Sequence, residues 1–353
     1  MEFSAVVTSV TRETIVPAVN DTILTGNVSL LRILGNAKPW GSGYRMDFPI
    51  KYQKSTTGGL VPVGGELNTD RTSTRIKMQF EPQRIHKPVV IDDIEIAVNE
   101  GDERVLDLLA TEMDSIAQDL TDDIGDYFYR GTGAGSGASS FDSILNAADD
   151  STNYATYGGQ SRSTYTSIKG YYVASVGTLA ISDLATAHNA VKIGSEKPSF
   201  ATTTATIWTA YEALLQPTVR AGYQMNGYPQ VSRTGVVPSQ QALRGDIGFD
   251  ALWFRGMPIV DDEKCTSQKM FMINENHFFF AGMAMPAKLG YEKFNTSDKN
   301  VKGPQALPIP KGFNWSGLIR SSNQPAQVGH FYYVGNFMSD NPRYQGQLTG
   351  ITG

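Results

Sequence analysis

The longest hydrophobic pattern along the chain is a helical one and covers residues 99–131. Its apolar side chains recur every three or four positions, which keeps them on one face of a helix: Val105, Leu109, Met113, Ile116, Leu120, Ile124 and Phe128. Asn99 is suited to cap the N-terminus, and Gly131 follows the last periodic residue, as at many helix ends. The spacing predicts a helix over about residues 100–130, roughly 40 Å long.

The opposite face of this predicted helix is acidic. It carries seven carboxylates with almost no cation nearby in the sequence: Asp107, Glu112, Asp114, Asp119, Asp122, Asp123 and Asp126. A run of this kind is most often a solvated face. The alternative is a surface whose negative field serves a purpose, and the pattern alone leaves both open.

Two segments on either side of a glycine-rich stretch alternate apolar and polar residues, as half-buried strands do. They are residues 44–50 and 75–82, and the stretch between them contains Gly58, Gly59, Gly64 and Gly65. The pattern predicts a long β-hairpin. Loops as long as its tip are uncommon inside a compact domain. Because the tip also has little apolar content, we expect an arm that becomes ordered against a neighbouring molecule.

The remaining pattern predicts a mixture of helices and strands. Residues 1–40 contain a short stretch of helical spacing weakened by Gly26 and Gly35, and we interpret them as an arm that packs on something else. Residues 149–172 have no clear period and are expected to form a loop.

Further along, residues 181–191 have helical spacing and are followed by Gly194. Residues 205–208 predict a strand, followed by a helical turn over residues 211–215 that Pro217 stops. Helices alternating with strands predict a sheet with helices on its faces.

Composition and charge exclude several classes of protein. The chain of 353 residues has a formal net charge of −5, which argues against a sequence-reading nucleic-acid binder. No apolar run is long enough to cross a bilayer. The single cysteine, Cys265, rules out an internal disulfide and a cysteine-built metal site, and we interpret it as a small buried or half-buried hydrophobe.

The sequence offers no recognisable catalytic, cofactor or metal site. The four histidines, His86, His188, His277 and His330, are scattered and lack zinc-site spacing. Glycines at 131, 133 and 135 follow a helix, whereas a phosphate-binding loop joins a strand to a helix N-terminus. Adjacent carboxylates such as Asp261 and Asp262 should diverge along a strand. We therefore expect no enzymatic activity and no cofactor.

One segment carries a family resemblance. Gly256-Met257-Pro258-Ile259-Val260-Asp261-Asp262, followed by a strand that ends in Asn274, resembles a segment of major capsid proteins of tailed bacteriophages. Residues 341–351 also resemble that family. The order of parts is similar to the HK97 capsid fold: N-terminal arm, extended hairpin, long helix, central α/β region and returning C-terminal strand.

The resemblance implies an α+β, HK97-like capsid fold and gives each segment a place in it. The implied parts are an N-terminal arm (residues 1–40), an extension loop (41–92), a peripheral domain containing the spine helix (93–170), an axial domain (171–276) and a return to the peripheral domain (277–353). Residues 328–334 would be the returning strand. Residues 286–325 are rich in proline and have no simple counterpart, so we treat them as an insertion.

The implied function is that of a shell subunit. A major capsid protein would assemble as pentamers and hexamers into an icosahedral head around double-stranded DNA, without sequence-specific binding and without a membrane. It would be made in the host bacterial cytoplasm and reside in the virion. The implied partners are a portal protein and a separate scaffolding protein, and the sequence leaves open whether a decoration protein also binds the outside of the shell. In such a shell, the acidic helix face would be turned toward the lumen or a solvent channel.

The extension loop supplies the residues expected to contact neighbouring subunits: Tyr44, Phe48, Ile50, Leu60, Val61, Val63, Ile76, Met78 and Phe80. Some capsids of this fold form a lysine–asparagine crosslink, and Lys51 and Lys54 lie in the right region. No partner asparagine can be matched, so we interpret both as ordinary exposed lysines.

Two other functions remain open. One is an encapsulin-like compartment that has the same shell fold and stores a protein cargo. The other is an α+β hydrolase, which would need a pocket that gathers histidines and carboxylates.

Overall fold

Two six-stranded sheets and one long helix form the framework of the chain. The structure, a computed structural model, describes residues 27–41, 43–98, 108–133, 140–225, 252–283, 313–322 and 324–352. Its α-helices are α1 Val28–Gly35, α2 Asp93–Val98, α3 Leu108–Arg130, α4 Ile144–Ala147, α5 Ile181–Val191 and α6 Ala205–Met225. Two short 3-10 helices lie at Thr166–Ile168 and Pro342–Tyr344. The strands are β1 Lys38–Pro39, β2 Met46–Lys51, β3 Arg75–Phe80, β4 Gln83–Asp92, β5 Thr156–Tyr157, β6 Gln160–Ser161, β7 Tyr171–Val173, β8 Gly177–Thr178, β9 Phe200–Thr203, β10 Leu252–Phe254, β11 Met257–Asp261, β12 Lys269–Ile273, β13 Phe278–Gly282, β14 Phe313–Trp315, β15 Ile319–Arg320, β16 Ala326–Ser339, β17 Gly346–Thr349 and β18 Ile351–Thr352.

The first sheet is built around β16. On one side β16 pairs with β4 along ten residues, and on the other it pairs with β15, β14 and β13 in turn. The strand contains all of residues 328–334, which the sequence predicts as a returning strand. It is longer than that prediction because its buried aromatic side chains continue as far as Phe337.

The long helix α3 packs against the first sheet. Leu120, Ile124 and Phe128 are buried in one hydrophobic cluster with Val89 and Ile91 of β4. This confirms the predicted apolar face for Leu120, Ile124 and Phe128. The helix ends at Arg130, as the sequence predicts, whereas residues 99–107, including the predicted cap Asn99, lie outside the described residues.

Lysines from distant parts of the chain reach the acidic face of α3. Lys87 Nζ lies 2.8 Å from Asp123 Oδ2, and Lys264 Nζ lies 2.7 Å from Asp122 Oδ2 and 3.5 Å from Asp126 Oδ2. The impression of a face without cations is therefore wrong for these three carboxylates. Sequence spacing missed the pairs because the lysines lie on β4 and in the turn after β11.

The second sheet has the order β10-β11-β9-β12-β17-β7. Helices α5 and α6 contribute to its hydrophobic cluster through Leu184, Ala187, Ile207 and Tyr211, which pack with buried residues of the strands. The bounds of α5 agree with the predicted helix over residues 181–191. Strands β11 and β12 also coincide with the predicted strands after Phe254.

The prediction of a strand at residues 205–208 is wrong. These residues begin α6, and the strand β9 precedes them at Phe200–Thr203. Ile207 and Tyr211 are one helical turn apart and both are buried, so helical packing outweighs the strand preference of the β-branched residues. The helix also continues past Pro217 to Met225, so the predicted stop at this proline is wrong.

The described part of the predicted N-terminal arm packs on its own chain. Asn27 Oδ1 accepts a hydrogen bond from the Leu30 amide at 3.2 Å and caps α1. Leu30 and Ile33 are fully buried in the same cluster as the α3 core residues. Residues 28–35 therefore belong to this chain's own core, which corrects the description of residues 1–40 as an arm that packs elsewhere. Residues 1–26 lie outside the described part.

Residues 149–172, which the sequence leaves as a loop, contain β5, β6, one short 3-10 helix and the start of β7. Three other sequence features fall wholly or largely outside the described residues. They are the glycine link at 134–139, the sequence before β10 at 226–251, and most of the proline-rich segment, residues 284–312.

Candidate inter-subunit surface

The predicted β-hairpin is present and projects its tip into solvent. Strands β2 and β3 pair antiparallel in a register that runs from Met46 opposite Phe80 to Lys51 opposite Arg75. Residues 52–74 connect the strands without regular secondary structure. This confirms the prediction of two matched strands joined by a long tip.

Aromatic packing anchors the base of the hairpin to the body of its own chain. The Phe48 ring makes edge contacts with Phe80 and Phe279, each at 5.9 Å between centroids. The Phe80 ring also contacts Tyr157 at 5.3 Å. Met78 and Phe80 are consequently buried, with exposed fractions of 0% and 2%. The base of the hairpin is therefore part of the subunit core.

The turn between β5 and β6 packs against strand β3 at the base of the hairpin. The Gln79 amide donates to the Gly158 carbonyl at 2.9 Å, and Gln160 Nε2 donates to the Lys77 carbonyl at 2.8 Å. Gly158 has a φ of +53°, and a Cβ there would lie 2.7 Å from Met78 Cβ. This position requires glycine for two reasons. The backbone there is left-handed, and β3 approaches too closely to leave room for a side chain.

A fully buried ion pair holds this turn region together. Arg162 Nη1 lies 3.4 Å from Asp149 Oδ2, and both side chains have an exposed fraction of 0%. Arg162 also donates to the carbonyls of Asn146 and Tyr154, while Asp149 accepts from the amides of residues 151, 153 and 154. Because nearly all the donors and acceptors have partners, the pair can be accommodated in the interior. Sequence reasoning missed it because Arg162 and Asp149 lie in a stretch without periodicity.

The tip of the hairpin has almost no contacts that bury its apolar side chains. Leu60 and Val63 are fully exposed, Leu67 is 75% exposed and Val61 is 41% exposed. The tip is held by polar contacts across its neck, including 2.7 Å between the hydroxyls of Thr57 and Thr72 and 2.9 Å from the Tyr52 hydroxyl to the Ser73 carbonyl. Exposed apolar residues grouped on a projecting loop are typical of a surface that binds another molecule.

The nine predicted contact residues thus divide into three groups. Met78 and Phe80 are buried by their own chain and unavailable to a neighbour, which corrects their inclusion. Phe48, Ile50 and Ile76 are partly buried against the same core cluster. Tyr44, Leu60, Val61 and Val63 are exposed, and for these four the predicted contact with another subunit stays a prediction.

A buried polar network joins α3 to the second sheet and to α1. The Tyr129 hydroxyl lies 2.7 Å from Thr202 Oγ1 and 3.0 Å from Asp262 Oδ2. Ser29 completes the network, because its hydroxyl lies 2.9 Å from that of Tyr129 and its amide donates to Asp262 Oδ2 at 3.1 Å. Burial raises the pKa of the Tyr129 hydroxyl well above its ordinary value, and it also raises the pKa of Asp262.

The groups that could suggest an enzyme lie apart from one another. Asp262 is buried in the network around Tyr129, whereas the adjacent Asp261 is exposed, as predicted for neighbouring carboxylates on a strand. His277 Nδ1 lies 2.7 Å from Asp340 Oδ1, and its ring stacks on Tyr344 at 4.3 Å. Within the described part of the chain, no three His, Cys, Asp or Glu residues form a group able to hold a metal ion.

Cys265 and the two hairpin lysines, Lys51 and Lys54, have the burial or exposure that the sequence predicts. Cys265 is buried, as expected for a small hydrophobe, and burial raises the pKa of its thiol. Lys51 and Lys54 are both exposed. Their participation in a crosslink stays untested.

Comparison with solved structures identifies the fold. The capsid asymmetric unit of cyanophage A-1(L) matches over 100% of both chains, with a TM-score of 0.69 and 15% identity. The capsid of a native gene transfer agent (GTA) particle matches over 99% of this chain and 98% of its own, with a TM-score of 0.58 and 10% identity. The SrpI encapsulin of Synechococcus elongatus PCC 7942 matches over 99% and 96%, with a TM-score of 0.56 and 11% identity.

These matches span essentially the whole chain, so the chain has the HK97-like fold of capsid shell proteins. No family model and no curated protein sequence matches it. None of the described helices combines the length and apolar character that a membrane span requires.

Proposed function

We propose that this chain is the major capsid protein of a tailed bacteriophage, a subunit that assembles into the icosahedral shell around double-stranded DNA. The observation that carries the proposal is the projecting hairpin, whose base is fixed in the subunit core while its apolar tip packs against none of the buried residues in the described part of the chain. In a closed shell every tip would dock on an adjacent copy, so the same buried contact would be repeated throughout the particle.

The shared fold supports this reading over an enzymatic one. The matching solved structures include the capsids of cyanophages A-1(L) and P-SCSP1u and of phage XM1, all matched over more than nine-tenths of both chains. In the proposed assembly the first sheet and α3 form the peripheral domain, residues 41–92 the extension loop, and the second sheet with α5 and α6 the axial domain. Pentamers and hexamers of this subunit tile the shell.

The proposed partners follow from the same assignment. The shell joins a portal protein and is assembled with the help of a separate scaffolding protein. The acidic composition suits a container, because a wall that bound phosphate strongly would hinder packing and release of DNA. The acidic face of α3 is turned toward the lumen or a solvent channel, and part of its charge is neutralised by Lys87 and Lys264.

An encapsulin-like compartment is the second candidate, because the SrpI encapsulin has the same fold at a TM-score of 0.56. The two candidates differ in what the shell encloses. A phage capsid encloses DNA, whereas a protein-storage shell encloses protein and would need an inner pocket for a cargo peptide.

Electron microscopy of the purified, expressed chain tests the proposal. We expect closed shells or rings of five and six subunits, whereas compact monomers at every concentration and salt condition would contradict any shell function. Particles isolated from the native source then separate the two candidates. DNA inside the shell supports the capsid, and a protein cargo without nucleic acid would replace it with the storage compartment.

A further inference from the structure

A cleft of about 210 Å³ opens at the base of the hairpin, between the end of β3, the segment that leads into α4, and the turn between β5 and β6. Arg45 and Glu81 lie at its mouth, and Phe80 and Tyr157 form aromatic walls. Asp142 and Asn146 also line the cleft, and both are buried, with exposed fractions of 6% and 4%.

The carboxylate of Asp142 is buried without an ion-pair partner among the described residues. Its oxygens accept hydrogen bonds only from side-chain amides, Asn336 Nδ2 at 2.8 Å and Asn146 Nδ2 at 3.2 Å. The buried guanidinium of Arg162 acts on Asp142 through its charge, but it is already paired with Asp149. A buried carboxylate with amide partners alone is unfavourable unless it is protonated or a cation approaches it.

A second acceptor in the same cleft has no partner. Asn146 Oδ1 is buried and makes no hydrogen bond within the described structure, although the amide nitrogen of the same side chain bonds Asp142. At the mouth, Arg45 and Glu81 form an ion pair with 2.6 Å between Arg45 Nη2 and Glu81 Oε1, so their charges offset each other. The net charge of the cleft is therefore that of Asp142.

We propose that this cleft binds an organic cation, an alkylammonium or guanidinium group, with Asp142 as its counter-ion and Asn146 Oδ1 as a second acceptor. The chemistry favours such a group over a metal ion, because only two carboxylates line the cleft, one of them already paired with Arg45. A guanidinium presents several N–H donors and stacks on aromatic faces, which Phe80 and Tyr157 supply. The group is borne either by a small molecule or by a lysine or arginine side chain of a second copy of this chain.

Calorimetric titration of the purified protein with methylguanidinium at pH 8 tests the binding chemistry. We expect saturable binding, and at least tenfold weaker binding of the neutral, similarly shaped methylurea. Asp142→Asn should weaken methylguanidinium binding at least tenfold. Asp47→Asn removes an exposed carboxylate from the same hairpin, outside the cleft, and should leave the affinity within twofold.

A second variant covers the case in which Asp142→Asn does not fold. Thr156 lines the cleft and is exposed, so Thr156→Phe should obstruct the cleft and abolish binding while Asp142 stays in place.

Binding should also weaken when the pH falls below about 6, because burial raises the pKa of Asp142 to that value. The charged and titratable groups around Asp142 are Arg45, Glu81, Tyr157 and Arg162.

The source of the cation is tested separately on assembled particles. A density map that shows a neighbouring chain's lysine or arginine in the cleft supports the proposal and assigns the cation to a second copy. An empty cleft in the particle, together with Asp142-dependent methylguanidinium binding, assigns it to a small molecule. Neither occupancy nor binding, or equal binding of methylurea, overturns the proposal. The titration does not depend on shell formation, so its result stands even if the proposed function fails.

Discussion

The Tyr129 hydroxyl and the Asp262 carboxylate lie 3.0 Å apart, although 133 positions separate them in the sequence. Tyr129 occupies the last turn of α3 and Asp262 directly follows β11, so this contact joins the long helix to the second sheet. Ser29 of α1 bonds to both residues. The network therefore fixes how the long helix, the second sheet and α1 meet.

Replacing Tyr129 by phenylalanine tests how much this network contributes. The substitution removes the hydroxyl but keeps the ring, and it leaves the buried Asp262 and Thr202 with fewer partners. We expect the free energy of unfolding of the unassembled subunit to fall by about 1–3 kcal/mol, measured by denaturant titration. Tyr127→Phe is the matched control on the same helix, because Tyr127 is 37% exposed. A loss equally large for both variants would contradict the role of the network.

Alanine substitutions at the two adjacent glycines of the β5–β6 turn distinguish the cost of backbone strain from the cost of steric contact. Both have a positive φ, +53° at Gly158 and +72° at Gly159. A Cβ at Gly158 would lie 2.7 Å from Met78 Cβ, whereas a Cβ at Gly159 would meet nothing within 4 Å. Gly159→Ala should therefore cost about 1–2 kcal/mol from the left-handed backbone alone.

Gly158→Ala should cost a further 1–3 kcal/mol or so, because the added methyl group displaces β3. Denaturant titration of both variants gives the two values. Limited proteolysis should show earlier cleavage of the hairpin in Gly158→Ala than in Gly159→Ala. Equal stability of the two variants would mean that the hairpin base moves freely away from the turn.

The buried Asp142 should make stability fall as pH rises through the acidic range. Burial raises its pKa to about 6, from an ordinary value of 3.8. Because the folded state then holds the proton more tightly than the unfolded state, the contribution of this group is most favourable below about pH 4. It is lost between about pH 4 and 6 and changes no further above that. This pKa shift corresponds to about 3 kcal/mol in the free energy of unfolding.

The comparison with Asp142→Asn isolates this titration from those of the other carboxylates. The free energy of unfolding of the original protein minus that of the variant should decrease by about 2.5 kcal/mol between pH 4 and pH 7.5, because the unfolded carboxyl is already partly protonated at pH 4. A difference that is independent of pH would show that folding does not shift the pKa of Asp142.

The sequence predicts the elements whose pattern is local. The helix over residues 181–191, the two strands of the hairpin and the C-terminal end of α3 all agree with the structure, because each has its own periodicity and a clear end. The strand predicted at residues 205–208 failed because Thr206 and Ile207 suit either state, and only the burial of Ile207 and Tyr211 against the second sheet decides between them.

Interactions between distant segments could not be predicted from spacing. The pairs Arg162–Asp149, Lys264–Asp122 and Tyr129–Asp262 each depend on how elements are brought together by the fold. The same limit applies to the hairpin. Alternation identifies the apolar face of β3, but it does not reveal that Met78 and Phe80 pack on their own chain rather than on another. Among the predicted contact residues, Tyr44 and the tip residues Leu60, Val61 and Val63 are the exposed ones.

Polar substitution at the tip of the hairpin tests the proposed assembly without disturbing the subunit. Leu60 and Val63 are fully exposed, so the double variant Leu60→Ser/Val63→Ser should leave the unfolding free energy of the subunit unchanged. If each tip is buried on an adjacent copy, the variant loses about 1.5–3 kcal/mol per side chain at every repeated contact. We therefore expect shells to form in much lower yield or to dissociate at lower denaturant concentration, as measured by size-exclusion chromatography and electron microscopy.

The matched control is Leu60→Met/Val63→Ile, which keeps the apolar area of the tip and should assemble normally. Deletion of residues 56–65 extends the test to the whole tip and should abolish stable shells while the subunit core stays folded. Shells of normal yield and stability from both the serine variant and the deletion would show that the hairpin does not join the subunits. The exposed apolar residues of the tip would then need another explanation.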